Sequence, residues 1–254
     1  MDLDGTRALV TGSARRVGRR IALRLARGGA DVAVHYRTSA EEAEETVADL
    51  RAEGVEAVGV QGDLRDLDDV ERIVGEAADA LGGLDVAVNN ASVFPRTPLD
   101  DVDGDVWDLN MDVNLRAPAF VAMAAAERMD ASTGPDGAPT GGLDGKIVNI
   151  ADWAGFRPYE NYLPYCVSKA GVIALTKGLA RELAPDVAVN AVAPGPVMLP
   201  EDFSEDDRRA IVEQTPLNRI GSPDDIAAGI AFLVEGSDFM TGAVVPIDGG
   251  RLIA

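Results

Sequence analysis

Short β-branched runs alternate with longer helical stretches along the whole chain, and this alternation does most to limit the folds available. The runs Arg7–Thr11, Asp31–Tyr36, Val55–Val60, Leu84–Val88, Lys146–Ile150, Val187–Val192 and Val244–Ile247 read as strands. Stretches such as Glu41–Glu53 and Asp68–Leu81 carry helical spacing between them. Strict β/α alternation predicts a parallel sheet with helices on both faces. The strands are apolar nearly throughout, as expected when both of their faces are covered. No Pro/Gly-rich linker divides the 254 residues, so residues 1–254 read as one α/β domain. Ser132–Gly145 reads as a surface loop between a helix and the fifth strand.

Hydrophobic residues make up 46% of the chain, ample for a buried core. The formal charge is −20, from 43 acidic and 23 basic residues, and Lys146, Lys169 and Lys177 are the only lysines. Such a surface repels a nucleic-acid backbone, which disfavours that class of partner. Excess acid with few lysines fits life in molar salt, where ions screen the self-repulsion. A GC-rich genome, which raises Asp, Ala, Gly and Arg together, is the competing explanation. Met1–Gly12 contains no basic n-region or cleavage site. The longest charge-free apolar run, Ala117–Ala126, falls well short of the ~20 residues a membrane span needs. These features predict a soluble, cytoplasmic protein with no membrane partner. With Cys166 as the single cysteine, neither an internal disulfide nor a cysteine metal cluster is expected, and no metal site is assigned.

The first strand ends in Thr11-Gly12-Ser13-Ala14-Arg15-Arg16-Val17-Gly18, and a helix follows. A glycine-punctuated turn between strand and helix lets the backbone approach a pyrophosphate, and the helix dipole favours the anion. Gly12 and Gly18 alone could simply make a tight turn; their place in the first βα unit strengthens the dinucleotide reading. Arg15 and Arg16 could form a solvated face, but cations at a helix start oppose the dipole, which argues for a compensating anion. A carboxylate at the end of the second strand would select NAD. Here that strand ends His35-Tyr36-Arg37-Thr38-Ser39, with no carboxylate until Glu41. Arg37 and Ser39, joined by Arg16, can grip a 2′-phosphate instead, so NADPH/NADP is the expected cofactor. His35, the only histidine, could equally be a strand-end residue without a catalytic part.

On a helix, positions i and i+4 share a face, so Tyr165 and Lys169 lie side by side. A free tyrosine, with a pKa near ~10, is a poor acid–base group at neutral pH. A nearby cation stabilises the phenolate and moves that value toward the working range. Tyr159 and Tyr162 have no lysine four residues on, so Tyr165 is the expected acid.

The order of motifs resembles the short-chain dehydrogenase/reductase family over essentially the whole chain. The Thr11–Gly18 turn is followed by Asp63-Leu64, Asn89-Asn90-Ala91-Ser92, Asn114, Tyr165-x-x-x-Lys169 and Pro194-Gly195. The resemblance implies a single Rossmann-type domain with a doubly wound seven-stranded parallel sheet. It also implies an adenine contact at Asp63, nicotinamide placement by Pro194–Val197, and a homotetramer, with a dimer left open. Lys169 would hydrogen-bond the nicotinamide ribose, and Asn114 would hold a proton-relay water and the helix geometry. Gly12, Arg15, Arg16, Val17, Gly18, His35, Tyr36, Arg37, Ser39, Asp63, Leu64, Asn90, Ala91, Ser92, Tyr165, Lys169, Pro194, Gly195 and Val197 form the expected cofactor set.

Three positions depart from the family's usual pattern. Arg16 stands where a glycine is usual, Ser92 ends a motif that usually reads Asn-Asn-Ala-Gly, and Asp152 occupies the catalytic-serine position, 13 residues before Tyr165. An ionised aspartate cannot donate the hydrogen bond that serine gives a carbonyl oxygen. It can accept N–H bonds or, with its pKa raised, hand over a proton, which suits a nitrogen heterocycle. Arg16, His35-Tyr36, Ala91-Ser92-Val93-Phe94 and the set Asp152, Tyr165, Lys169 are similar to the pteridine reductases of the family. In that group the phenylalanine stacks on the pterin; otherwise Phe94 is a loop aromatic packed on the core.

The resulting expectation is an NADPH-dependent reductase of a C=N bond in a pterin-like small molecule. Tyr165, Lys169, Asp152 and Asn114 are its catalytic residues, and Ser92, Phe94, Asp152 and Tyr165 its substrate contacts. The alternatives are a carbonyl reductase, for example of 3-oxoacyl thioesters on acyl carrier protein, and, more distantly, an NADP(H)-sensing regulator. From the net charge of −20, thermal midpoint and activity should both rise as KCl goes from low to molar concentration, because screening relieves carboxylate repulsion. A flat or falling profile would assign the acidity to genome composition.

Overall fold

A computed structural model describes residues 1–129, 143–199 and 203–254. Its strands are β1 (Arg7–Val10), β2 (Asp31–Tyr36), β3 (Ala57–Gln61), β4 (Val86–Asn89), β5 (Gly145–Ile150), β6 (Val187–Pro194) and β7 (Val244–Ile247). They form one parallel sheet in the order β3-β2-β1-β4-β5-β6-β7. The helices are α1 (Arg16–Ala26), α2 (Ala40–Ala52), α3 (Leu67–Leu81), α4 (Gly104–Met111), α5 (Ala117–Ala126), α6 (Leu163–Glu182), α7 (Glu205–Glu213) and α8 (Pro223–Glu235). The expected doubly wound α/β domain is the one observed. The stretch expected as a loop, Ser132–Gly145, lies outside the described residues up to position 142.

The sheet divides the core in two, because alternate side chains of a strand point to opposite faces. Ala8 and Val10 of β1, Val86 and Val88 of β4 and Val148 of β5 meet Ile21 and Leu25 of α1, Leu50 of α2 and Ile226, Ile230 and Leu233 of α8. Leu9, Ala87 and Ile147 from the same strands meet Ile73 and Val74 of α3, Val121 and Ala125 of α5 and Leu179 of α6. Two strands begin two residues later than the spacing predicts. Before β3, the Glu56 N–H donates to the Asp31 side chain at 2.7 Å. Before β4, the Asp85 carboxylate accepts the Arg7 backbone N–H and guanidinium at 2.7–2.8 Å. In both places a side chain takes one backbone N–H beside the ladder.

Two features aim residues at the carboxyl edge of the sheet. The strand order reverses between β1 and β4, so the loops after these strands diverge and leave a crevice above them. Between α4 and α5 the helix widens into a π-turn over Asp112–Arg116, which contains Asn114. Such turns are rare and concentrate at functional sites.

Candidate active site

The glycine turn after β1 has the compact form a phosphate would need. Gly12 adopts φ +62°, in the left-handed region that favours glycine. A Cβ on Gly18 would collide with the Gly12 carbonyl oxygen and the Asn90 side chain. Asn90 holds the turn by donating from Nδ2 to Thr11 O at 2.8 Å and Gly12 O at 3.0 Å. The Thr11 hydroxyl oxygen accepts the N–H groups of Asn90 and Ala91 at 2.9 and 3.0 Å. Arg15 and Arg16 are exposed at the start of α1, and Arg16 adopts φ +55°, an uncommon conformation for a side-chain-bearing residue. Val17 is half-buried against the core.

His35 lies beneath this turn, 2% exposed. Its Nδ1 accepts the Gly12 N–H at 3.0 Å, so Nε2 carries the proton and donates to Gly62 O at 3.2 Å. Burial pushes its pKa down to about 4, and the ring is a neutral brace for the turn. Tyr36 also packs inward, on the core. Arg37 is exposed, and Ser39 starts α2 without capping it through its hydroxyl. The Arg37 guanidinium lies 3.8 Å from Asp63. Asp63 is gripped more closely by Arg65, which holds its carboxyl below the usual range. Leu64 is buried beside it. Arg37, Gln61, Gly62 and Asp63 line an open groove at this end.

The residues expected to carry acid–base chemistry come together from β5 and α6. After β5 the chain runs extended through Asp152 and enters a short turn, Trp153–Gly155, that the Asp152 side chain caps. Its Oδ1 accepts the Ala154 N–H at 2.7 Å, and its Oδ2 accepts the Tyr165 hydroxyl at 2.8 Å. Lys169, one turn along α6 and 3% exposed, donates from Nζ to Ile150 O at 2.8 Å. Its ammonium lies 5.7 Å from the centre of the Tyr165 ring.

This geometry corrects the expectation that Lys169 lowers the tyrosine pKa. The phenol is buried and bonded to a carboxyl, and both effects push its pKa well above the ordinary value. Tyr165 is therefore held as a protonated donor. Burial raises the Asp152 pKa against the opposing pull of Ala154, Tyr165 and Lys169. Burial also lowers Lys169 to about 8, with the Asp152 charge working the other way.

Asn114 braces the wall opposite. Its Oδ1 accepts the Val93 N–H at 2.8 Å and the Ser92 hydroxyl at 3.0 Å, and its Nδ2 donates to Val93 O at 3.0 Å and Ser168 Oγ at 3.2 Å. The π-turn thus ties the loop after β4 to α6. Phe94, on that loop and 43% exposed, stacks on Tyr162 at 4.2 Å and 9°, and meets Tyr165 edge to face at 4.5 Å. At the far side, Pro194 ends β6, Gly195 packs against Asp248 too closely to admit a Cβ, and half-buried Val197 follows.

The sequence pattern excluded Tyr159 and Tyr162 as the acid and assigned them, Trp153 and Arg251 no place in the site. The Tyr159 hydroxyl donates to Asp152 Oδ1 at 3.3 Å and accepts the Trp153 indole N–H. Arg251 lies over the Trp153 ring at 4.9 Å. One signal was present: Trp153, Phe156, Tyr159, Tyr162 and Tyr165 recur every third residue, and three of the chain's four tyrosines fall among them.

Comparison with known proteins adds a second line of information. A family model described as enoyl-(acyl carrier protein) reductase matches residues 12–251. The 3-oxoacyl-(acyl-carrier-protein) reductase FabG of Staphylococcus aureus is 36% identical over 247 residues, covering 96% of each chain. The short-chain dehydrogenase/reductase FrzI of Cladobotryum sp is 38% identical, over 96% of this chain and 94% of that protein. A short-chain dehydrogenase from Burkholderia cenocepacia, solved in complex with NADP, superposes with a TM-score of 0.89 at 38% identity, over 99% of this chain and 100% of that one. A blue fluorescent protein from a metagenomic library, solved with NADPH, gives 0.87 at 34% identity, over 99% of each chain.

The Lys169–Asp152 coupling gives a test free of any substrate. Asp152→Asn removes the charge that holds the Lys169 pKa up, so the amine should titrate below its wild-type value of about 8 when followed by NMR of the lysine side chain. A midpoint that stayed put or rose would mean that the two groups are not coupled.

Proposed function

Because the chain belongs to the short-chain dehydrogenase/reductase family, we propose that this oxidoreductase uses NADPH to reduce a C=O or C=N bond. The observation that carries the reading is the Tyr165 hydroxyl, kept protonated and seated on Asp152 with Lys169 one turn away.

The residues present fit the dinucleotide. The left-handed Gly12 and the closely packed Gly18 bring the turn tightly onto the start of α1, where the helix dipole favours a phosphate. The chain supplies no carboxylate from Tyr36 to Ala40; Arg37, although 3.8 Å from Asp63, is exposed there, and Arg16 is exposed at the start of α1, which supports a 2′-phosphate. When bound, NADPH supplies the hydride. Tyr165 donates the proton to the substrate oxygen or nitrogen, and Asp152, whose raised pKa lets it hold a proton, restores it to the phenol. Lys169 sets the field around the pair, and Asn114 keeps the Ser92–Phe94 loop in place. The relay water expected at Asn114 stays part of this proposal, since its carboxamide already bonds loop and helix.

Two substrate classes have distinct support. The FabG relatives favour a carbonyl, such as a 3-oxoacyl thioester, and they weigh more than the motif likeness to pteridine reductases. Asp152 at the serine position and the stacked Phe94–Tyr162 pair favour a planar nitrogen heterocycle. Exposed Phe120 and Met123 on α5, with Leu163 and Val167 on α6, support assembly with further copies, a homotetramer being the family expectation. Among the described residues, no helix is long and apolar enough to cross a membrane.

Turnover of NADPH with a panel of 3-oxoacyl thioesters, ketones and oxidised pterins distinguishes the classes. For a pterin substrate, Asp152→Ser should cut the rate while sparing simple ketones. Efficient thioester reduction with no pterin turnover would leave the carbonyl reading alone standing. The cofactor assignment predicts NADPH affinity at least about tenfold above NADH, ~1.4 kcal/mol, and Arg37→Asp should shrink or invert that preference. Equal wild-type affinities would defeat it.

A further inference from the structure

The Asp152 carboxyl has more partners than proton delivery by Tyr165 requires. Oδ2 takes the Tyr165 hydroxyl at 2.8 Å, whereas Oδ1 takes both the Ala154 N–H at 2.7 Å and the Tyr159 hydroxyl at 3.3 Å. A phenol has a single proton to give. The Tyr159 oxygen already accepts the Trp153 indole N–H, so that proton is directed at the carboxyl. Trp153 is itself held: the Arg251 guanidinium covers its ring at 4.9 Å and donates to Ile211 O, Thr215 Oγ1 and Gln214 Oε1. At its other end Tyr159 donates its backbone N–H to Cys166 Sγ at 3.3 Å.

We propose that Tyr159 is a positioning residue: oriented by Trp153, it fixes Oδ1 of Asp152 so that Oδ2 alone serves Tyr165 and the substrate. This rests on Asp152 belonging to the acid–base set, and is independent of which substrate class is reduced.

The groups that act on the carboxyl come from every element around it. Tyr165 and Lys169 approach from α6, as does the Cys166 thiol; Ala154 N–H comes from the turn after β5. Tyr159 comes from the segment before α6, and the Arg251 charge acts on Tyr159 from the segment after β7. A hydrogen bond to a carboxylate favours its charged form, so losing one raises the pKa. Tyr159 is the donor whose hydroxyl can be deleted without altering the Tyr165–Lys169 pair or the backbone.

The test titrates the Asp152 carboxyl by 13C NMR in the full chain, without substrate, and follows kcat and KM against pH with a substrate the wild type reduces. Tyr159→Phe should move the carboxyl midpoint up by about 1–2 units and lower kcat about tenfold, given the usual strength of a hydrogen bond to a charged group. The pH limb of kcat should move the same way, while the KM for NADPH stays at its wild-type value. Trp153→Phe, which keeps a ring but removes the N–H, should give a smaller shift of the same sign. A Tyr159→Phe carboxyl midpoint and pH limb at their wild-type positions would overturn the proposal. The premise is checked separately: Asp152→Asn at wild-type turnover would remove Asp152 from the acid–base set whatever the NMR result.

Discussion

The parallel pairing of β1 with β4 is the constraint on which the whole carboxyl edge depends. These strands are distant in sequence, yet Ala8, Leu9 and Val10 lie in register with Val86, Ala87 and Val88. That register carries the Gly12 turn and the Asn90 loop to the same height, where the Thr11 hydroxyl and the Asn90 carboxamide knit them together. From there the loop runs to Ser92 and Val93, which Asn114 captures, and Asn114 reaches Ser168 on α6, the helix of Tyr165 and Lys169. A slip of one residue between β1 and β4 would turn every one of their side chains to the wrong face. It would also part the glycine turn from Tyr165.

Within that frame the chemistry is set by a contest over one carboxyl. Burial disfavours charge on Asp152, while an N–H, two hydroxyls and a nearby ammonium favour it. Burial is the strongest of these influences, and the Asp152 pKa stands above the ordinary carboxyl value. A carboxyl raised in this way holds a proton more readily than a solvated carboxylate does. The serine usual at this position has no such second state.

What could be read in advance follows from the range of the interactions. The strands were legible because apolar runs of fixed length report burial on both faces, a local property. Tyr165 and Lys169 were legible because a four-residue spacing on a helix is itself a distance. The Gly12–Gly18 turn was legible because glycine suits the left-handed backbone at position 12 and the close packing at position 18. Tyr159 and Trp153 were not, since their link to Asp152 depends on how the Trp153–Tyr162 segment folds back on itself. Arg251 was further out of reach, joining Trp153 from the opposite end of the chain. The direction of the Tyr165 shift was misread for a related reason. The spacing revealed the cation on the same helix but not that the carboxyl would take the phenol's proton first.

The widened turn at Asp112–Arg116 has a consequence for length as well as for composition. An α-helix advances about 100° around its axis with each residue, and a π-turn accommodates one residue more than the regular repeat. Wound at the regular pitch, the same residues from Gly104 to the end of α5 would have no turn to absorb that extra residue. One residue more at about 100° per residue would then rotate α4 and α5 against each other by that angle. Either the Val121–Ala125 face would leave the sheet or the Asn114 carboxamide would turn away from Ser92 and Ser168. The irregular turn works as a phase corrector, letting one helix keep two appointments that a uniform pitch would set at incompatible angles.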